Sequence, residues 1–233
     1  MPPTLILVRH AQALHNVNKD YDIPDPDLSV LGLQQLEALR KSLMENSLAQ
    51  NAGLIITSPM RRTIQTALGS VDWLMDKGIK LEADANWQEN SAKPCDTGTP
   101  APLLGAEFPS VDLSSLDPIY PDKTTPAGAR YSYTKKAILN RSQTALKRLY
   151  DRPEKVIIVV SHSGFLRLGV SGCCFFNADY RIFDFSERNS PEDAYKLAQR
   201  QETEEKGGGL GWSLKKEVML GSDLPDEMPE IDA

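Results

Sequence analysis

The stretch Leu5–Asn16, LILVRHAQALHN, decides how the rest of the chain is read. Its four leading residues form an apolar run without alternation, as in a strand buried on both faces of a sheet. Arg9 and His10 follow at once, and Asn16 stands a little further on. A guanidinium and an imidazole at the end of a buried strand are costly to desolvate unless an anion or a reaction accounts for them.

Working outward, three more apolar runs read as strands: Leu54–Ile56, Ile79–Leu81 and Val156–Val160. Helical patterns lie between them. Leu28, Leu31, Leu36, Leu39 and Leu43 follow the three-and-four spacing, with Ser29 as N-cap. A second helix is predicted over 60–75, and a third over 127–150, stopped ahead of Pro153. Strands alternating with helices predict a three-layer α/β/α sandwich with a mostly parallel central sheet.

Residues 91–126 break the rhythm. They are rich in proline and read as an irregular insertion near the site, either a lid or pocket wall or a passive surface loop. The charged stretch Glu187–Lys206 is expected to be helical in part, and GGGLG at 207–211 to be a flexible joint. The end, 222–233, has five acids and no base and reads as a disordered tail, leaving 1–221 as one domain.

Bulk properties narrow the function. The 233 residues, 40% apolar and 25% charged, suit one large α/β domain with a real core. A net charge of −6 and a pI near 5.2 argue against a nucleic-acid partner. No run is long enough to span a membrane, and Leu5–Val8 is too short for a secretory leader. Cys95, Cys173 and Cys174 are an odd count with two adjacent, not a disulfide framework, so a cytoplasmic location is expected. The sequence does not specify an oligomeric state.

In open α/β sheets, ligands bind beyond the carboxyl ends of the strands. The first strand here ends in Arg9 and His10, the second leads into Arg61 and Arg62, and the fourth leads into His162 and Gly164. The third is followed by Glu89. Arginine forks match phosphate oxygens in shape and charge, so this rim asks for a phosphoryl group. A neutral imidazole held by one nitrogen can attack phosphorus with the other. The arginines, and a second histidine if protonated, would hold the non-bridging oxygens. Glu89 would protonate the leaving oxygen and then activate water, so neither a metal nor another cofactor is expected.

Other phosphoryl and acyl chemistries fit less well. A serine hydrolase built on Ser163 would need a histidine later in the chain, and none follows His162. No cysteine is followed by the arginine that a cysteine-phosphatase loop requires. The acidic DPDLS at 25–29 does not follow a buried strand, as an aspartyl-phosphate site would demand.

Five segments in series, LVRHAQALHN, LSVLGLQQ, TSPMRRTIQTA, WQE and VVSHSGFLR, resemble the histidine phosphatase superfamily, the phosphoglycerate mutase-like group with its Arg-His-Gly signature. The resemblance runs from Leu5 to Arg167. It implies His10 as the phospho-accepting nucleophile, with Arg9, Asn16, Arg62 and His162 around the phosphate and Glu89 as proton donor. Glu82, Asp84 and Glu107 are the alternative acids. His15, Gln12, Arg61, Ser163 and Gly164 are substrate-side candidates. Ala11 stands where the family has glycine, and the tryptophan-bearing segment of the glycolytic mutases is absent. The expected function is therefore hydrolysis of a small phosphorylated metabolite. Transfer by a mutase-type enzyme and a silent phosphate-binding module are the alternatives.

Overall fold

The computed structural model describes residues 1–228. In chain order the first half holds β1 (Thr4–Arg9), α1 (Leu14–Asn18), α2 (Val30–Glu45), β2 (Leu54–Thr57), α3 (Arg61–Ser70), α4 (Asp72–Met75), β3 (Leu81–Ala83) and α5 (Ala101–Glu107). The second half holds α6 (Lys135–Tyr150), β4 (Val156–Ser161), the short α7 (Ser163–Phe165), β5 (Asp179–Phe185), β6 (Leu197–Gln199) and β7 (Gly208–Gly209). A wide π-type turn, Leu166–Ser171, continues α7.

The two non-alternating runs pair with each other. β1 and β4 are parallel neighbours at the centre, with Arg9 opposite Ser161. The sheet runs β3-β2-β4-β1-β5-β6, with β7 also on β5. The block β3-β2-β4-β1 is parallel, whereas β5 pairs antiparallel with β1, β6 and β7. Side chains alternate across the sheet and fill two cores. Ile6, Val8, Ile158 and Val160 meet Leu36, Leu39 and Leu43 of α2 and Ile64 of α3 on one face. Leu5, Leu7, Ile157 and Val159 meet Ile138, Leu146 and Leu149 of α6 and Phe165 on the other. The predicted three layers are present, and the four parallel strands point their carboxyl ends to one edge. No helix among the described residues is long and apolar enough to cross a membrane.

Several local expectations are corrected. The predicted helix over 60–75 breaks at Val71 into α3 and α4. There the Ser70 hydroxyl donates back to the Thr66 carbonyl, and the Trp73 indole takes the Ser70 carbonyl. The third helix starts at Lys135 rather than 127, because Thr134 Oγ1 caps it by accepting from the Ala137 N–H. The third strand lies at 81–83, two residues later than its apolar run.

Glu187–Lys206 contains no α-helix. It supplies β6 and a single 3-10 turn, tied to β5 by the Arg200–Asp184 ion pair at 2.7 Å and by the Ile182 N–H on Thr203 Oγ1. The glycines at 207–211 are not a loose joint either. Gly208 and Gly209 pair with Tyr180 and Asp179, and a Cβ on Gly208 would lie 2.1 Å from the Tyr180 ring. β5 itself escaped the sequence reading because Asp179 and Arg181 interrupt its apolar pattern, although both are buried. Of the acidic end, Leu224 packs in the second core and the Pro225 carbonyl accepts from Lys135 N at 2.7 Å. Residues 229–233 of the expected tail lie outside the described residues.

Candidate active site

His10 follows β1 directly and is buried. Its Nδ1 lies 2.7 Å from the Ala11 carbonyl, which can only accept, so Nδ1 carries the proton and Nε2 is the unprotonated nitrogen. The carbonyl of His10 is held in turn by Asn177 Nδ2 at 3.1 Å and Ala178 N at 3.3 Å. Arg62, in the first turn of α3 and also buried, points Nε at His10 Nε2 from 3.3 Å. His162, just past β4, sets its ring 5.2 Å from that of His10 and its Nε2 2.9 Å from Ser58 Oγ. Arg9 donates through Nη1 to the Phe175 carbonyl at 2.9 Å.

Burial and the nearby guanidinium groups set the charges. Desolvation, then Arg62 and Arg9, pushes His10 well below the usual histidine range. His162 is pushed down too, by burial first and by Arg62 second, which favours its neutral form in the free site. His15, its ring 6.0 Å from His10, falls to about 4. Arg9 falls to about 10 through burial, still a cation at neutral pH. Arg9 Nε, His15 Nδ1 and His162 Nδ1 are buried without a partner. Buried polar groups normally find one, and orphans gathered around a single nucleophile mark a place for a polar ligand.

Glu89 reaches the same place from beyond β3. One carboxylate oxygen accepts from Gly164 N at 2.9 Å and the other from Phe165 N at 2.8 Å and Asn90 N at 2.9 Å. Its pKa is raised by burial first and by the charge of Asp96 second. Gly164 is required here, because a Cβ would lie 2.5 Å from Glu89 Oε1.

Residues 5–181 match the family model of the histidine phosphatase superfamily, branch 1. The chain belongs to that superfamily. It is 32% identical over 197 residues to phosphoglycerate mutase-like protein 1 of Arabidopsis thaliana, covering 70% of this chain and 69% of that one. It is 31% identical over 170 residues to a phosphatase-named protein of Schizosaccharomyces pombe, covering 71% and 76%. Among solved structures, it superposes on a candidate alpha-ribazole-5'-P phosphatase of Escherichia coli with a TM-score of 0.55 at 16% identity, over 85% of this chain and 95% of that one. Phosphoglycerate mutase of Bacillus anthracis gives 0.53 at 13% identity, over 85% and 92%. At those identities the structural likeness concerns the fold alone.

The other sequence candidates divide by position. Asn16 caps α1 by accepting from Ala13 N at 3.1 Å and places Nδ2 2.8 Å from His15 Nε2. Gln12 turns its amide oxygen to Ser29 Oγ at 2.7 Å. Ser163, half-buried, opens α7. Arg61 has its guanidinium paired with Asp27 at 2.8 Å and with Glu107. The alternative acids are engaged elsewhere: Glu82 lies 3.6 Å from Arg152, and Asp84 pairs with Arg148 at 3.4 Å.

Four participants gave no usable sign in the sequence. Asp96 and Lys123 come from the proline-rich insertion, which has no periodicity to place them. Asp96 Oδ1 lies 3.0 Å from Arg62 Nη2, and the Cys95 carbonyl takes Arg62 Nη1 at 2.6 Å. Lys123 is buried and donates to the carbonyls of Glu89, Ser91 and Asp96 at 2.8, 2.9 and 2.5 Å. Arg141 of α6 reaches Asn90 Oδ1 at 2.9 Å and packs its guanidinium 4.2 Å from the Phe165 ring centroid. Asn177, beneath His10, lies in a segment that carried no motif. The insertion thus forms one wall of the site.

Proposed function

We propose that this protein hydrolyses a small phosphomonoester in two steps through a phosphohistidine on His10, without a metal. The observation that carries the reading is the hydrogen bond from His10 Nδ1 to its neighbour's carbonyl. It leaves Nε2 as a neutral nucleophile beside the Arg62 guanidinium.

In the first step Nε2 attacks phosphorus in line and the bond to the ester oxygen breaks. Glu89, whose burial favours the protonated carboxyl, gives its proton to the departing alkoxide. In the second, water attacks the phosphoimidazole, its proton goes to Glu89, and His10 is released with inorganic phosphate. Arg9, Arg62, Asn16 and His162 would surround the phosphoryl oxygens, and the anion would draw His162 towards its protonated form. A cytoplasmic setting fits the three unpaired cysteines. The absence of the mutase tryptophan segment supports hydrolysis over transfer.

The test is phosphate release from a panel of small phosphomonoesters in EDTA, comparing wild type with His10→Ala. Release by the wild type alone is the expected result, with an acid-labile phosphoryl group trapped on His10 after rapid quenching. Activity lost in EDTA, or retained by His10→Ala, removes the mechanism. A phosphate that reappears on a second hydroxyl, not in solution, makes the enzyme a transferase.

A further inference from the structure

Two large aromatic rings, on segments tied to the residues around His10, stay in solvent. Phe176 is 38% and Trp212 59% exposed, and their rings meet edge to face with centroids 5.1 Å apart. Each exposed aromatic surface left to water forgoes the free energy its burial would bring. This pair is nonetheless held in place with care.

Asp179, itself fully buried, accepts from Gly211 N at 2.8 Å, Trp212 N at 2.8 Å, Ser213 N at 2.6 Å and Ser213 Oγ at 2.7 Å. Ser213 Oγ in turn accepts from Phe176 N at 2.9 Å. One buried carboxylate therefore locks the backbones of both aromatic residues together. A desolvated charge spent on two surface rings makes a pre-organised platform, not a frayed loop.

The platform is continuous with the phosphate site through its own neighbours in sequence. Phe175, before Phe176, takes the Arg9 guanidinium on its carbonyl. Asn177, after it, donates to the His10 carbonyl and approaches Asn16 Oδ1 at 3.5 Å. Phe176 is thus flanked by a residue that holds Arg9 and one that holds His10, each about 3.8 Å away along the chain.

From this juxtaposition we infer that Phe176 and Trp212 receive the alcohol portion of the ester cleaved at His10. They would favour phosphomonoesters whose alcohol carries a planar aromatic group. The inference rests on the phosphatase reading and adds the chemical class of substrate to it. Offset or edge-on contact of a planar group with two fixed rings is worth about tenfold in selectivity.

The experiment compares kcat/KM for 2-naphthylmethyl phosphate and ethyl phosphate, both alkyl esters, so that the leaving oxygens are similar. Wild type should prefer the naphthylmethyl ester about tenfold or more. Trp212→Ala and Phe176→Ala should each bring that ratio down towards one, and Trp212→Phe should keep most of it. A ratio near one in the wild type, or a ratio untouched by both alanine variants, overturns the inference. If no ester releases phosphate, the phosphatase reading has failed, and calorimetry with 2-naphthylmethylphosphonate and ethylphosphonate decides separately. Tighter binding of the naphthylmethyl compound, abolished in Trp212→Ala, upholds the platform; equal binding of the two overturns it.

Discussion

Arg62, the buried guanidinium beside His10, is already paired with a carboxylate from the insertion: Nη2 lies 3.0 Å from Asp96 Oδ1. The other oxygen of Asp96 accepts from Ser91 Oγ at 2.6 Å, and its backbone carbonyl is held by Lys123. The free site therefore carries an internal anion on one of the groups proposed to bind phosphate.

An arriving phosphoryl dianion must share Arg62 with that charge. Two like charges ~4 Å apart repel by ~4 kcal/mol at an effective dielectric near 20. Asp96→Asn keeps the shape and removes the repulsion, so it should bind inorganic phosphate at least tenfold more tightly. Competitive inhibition or calorimetry would check this. Unchanged or weaker binding would mean that Asp96 does not compete for the anion.

Lys123 should leave a signature in the pH dependence of stability. Burial lowers its pKa to about 7, from the ~10.4 of an unfolded chain. Between those values the unfolded state binds the extra proton, so this group makes stability rise with pH from 7 towards 10. Lys123→Met should lose that rise in urea unfolding measured at pH 7 and pH 9. It should also lower kcat about tenfold, because the carbonyls of Glu89, Ser91 and Asp96 lose their common donor. Lys123→Arg should not restore kcat, since a planar fork does not match three acceptors grouped around one nitrogen.

The contact between Gly164 and Glu89 allows no side chain. A methyl at Gly164 would sit 2.5 Å from an oxygen that three backbone N–H groups hold in place through its carboxylate. Gly164→Ala should therefore destabilise the fold by about 1–3 kcal/mol and displace the proposed acid. Thermal unfolding would read the first effect, and a fall in kcat larger than any change in KM the second.

Acid should unfold this protein through its histidines. His10, His15 and His162 all have folded-state pKa values below the ordinary one, from burial first and from nearby cations second. The unfolded chain takes up protons at ~6.5 where the folded one does not, so the stability they contribute is full above pH 6.5 and is lost as pH falls below it. A midpoint that drops between pH 6.5 and 4, and drops less in His162→Gln, is the expected result. A flat profile over that interval would show that the imidazoles are not held neutral.

Much of this was legible before folding. An unbroken apolar run followed by arginine and histidine has few physical explanations, and the same pattern recurred before His162. Strand ends of a parallel sheet share one edge, so the sequence by itself determined that Arg9, His10, Arg62 and His162 would meet. The α2 register was equally plain, with Ser29 capping and Leu36, Leu39 and Leu43 buried.

What only the tertiary structure decided lies where periodicity is absent or misleading. β5 hides two buried charged residues in its pattern, and its partners β6 and β7 looked like a helix and a hinge. Asp96, Lys123 and Cys95 stand in a proline-rich stretch whose course is set by three carbonyls converging on one ammonium, a long-range contact with no local code. Phe176 and Trp212 are 36 positions apart in the numbering. They become neighbours through the buried carboxylate of Asp179. Local sequence encodes which residues can form a strand end; the closing of distant loops onto a buried charge is encoded only in the packed whole.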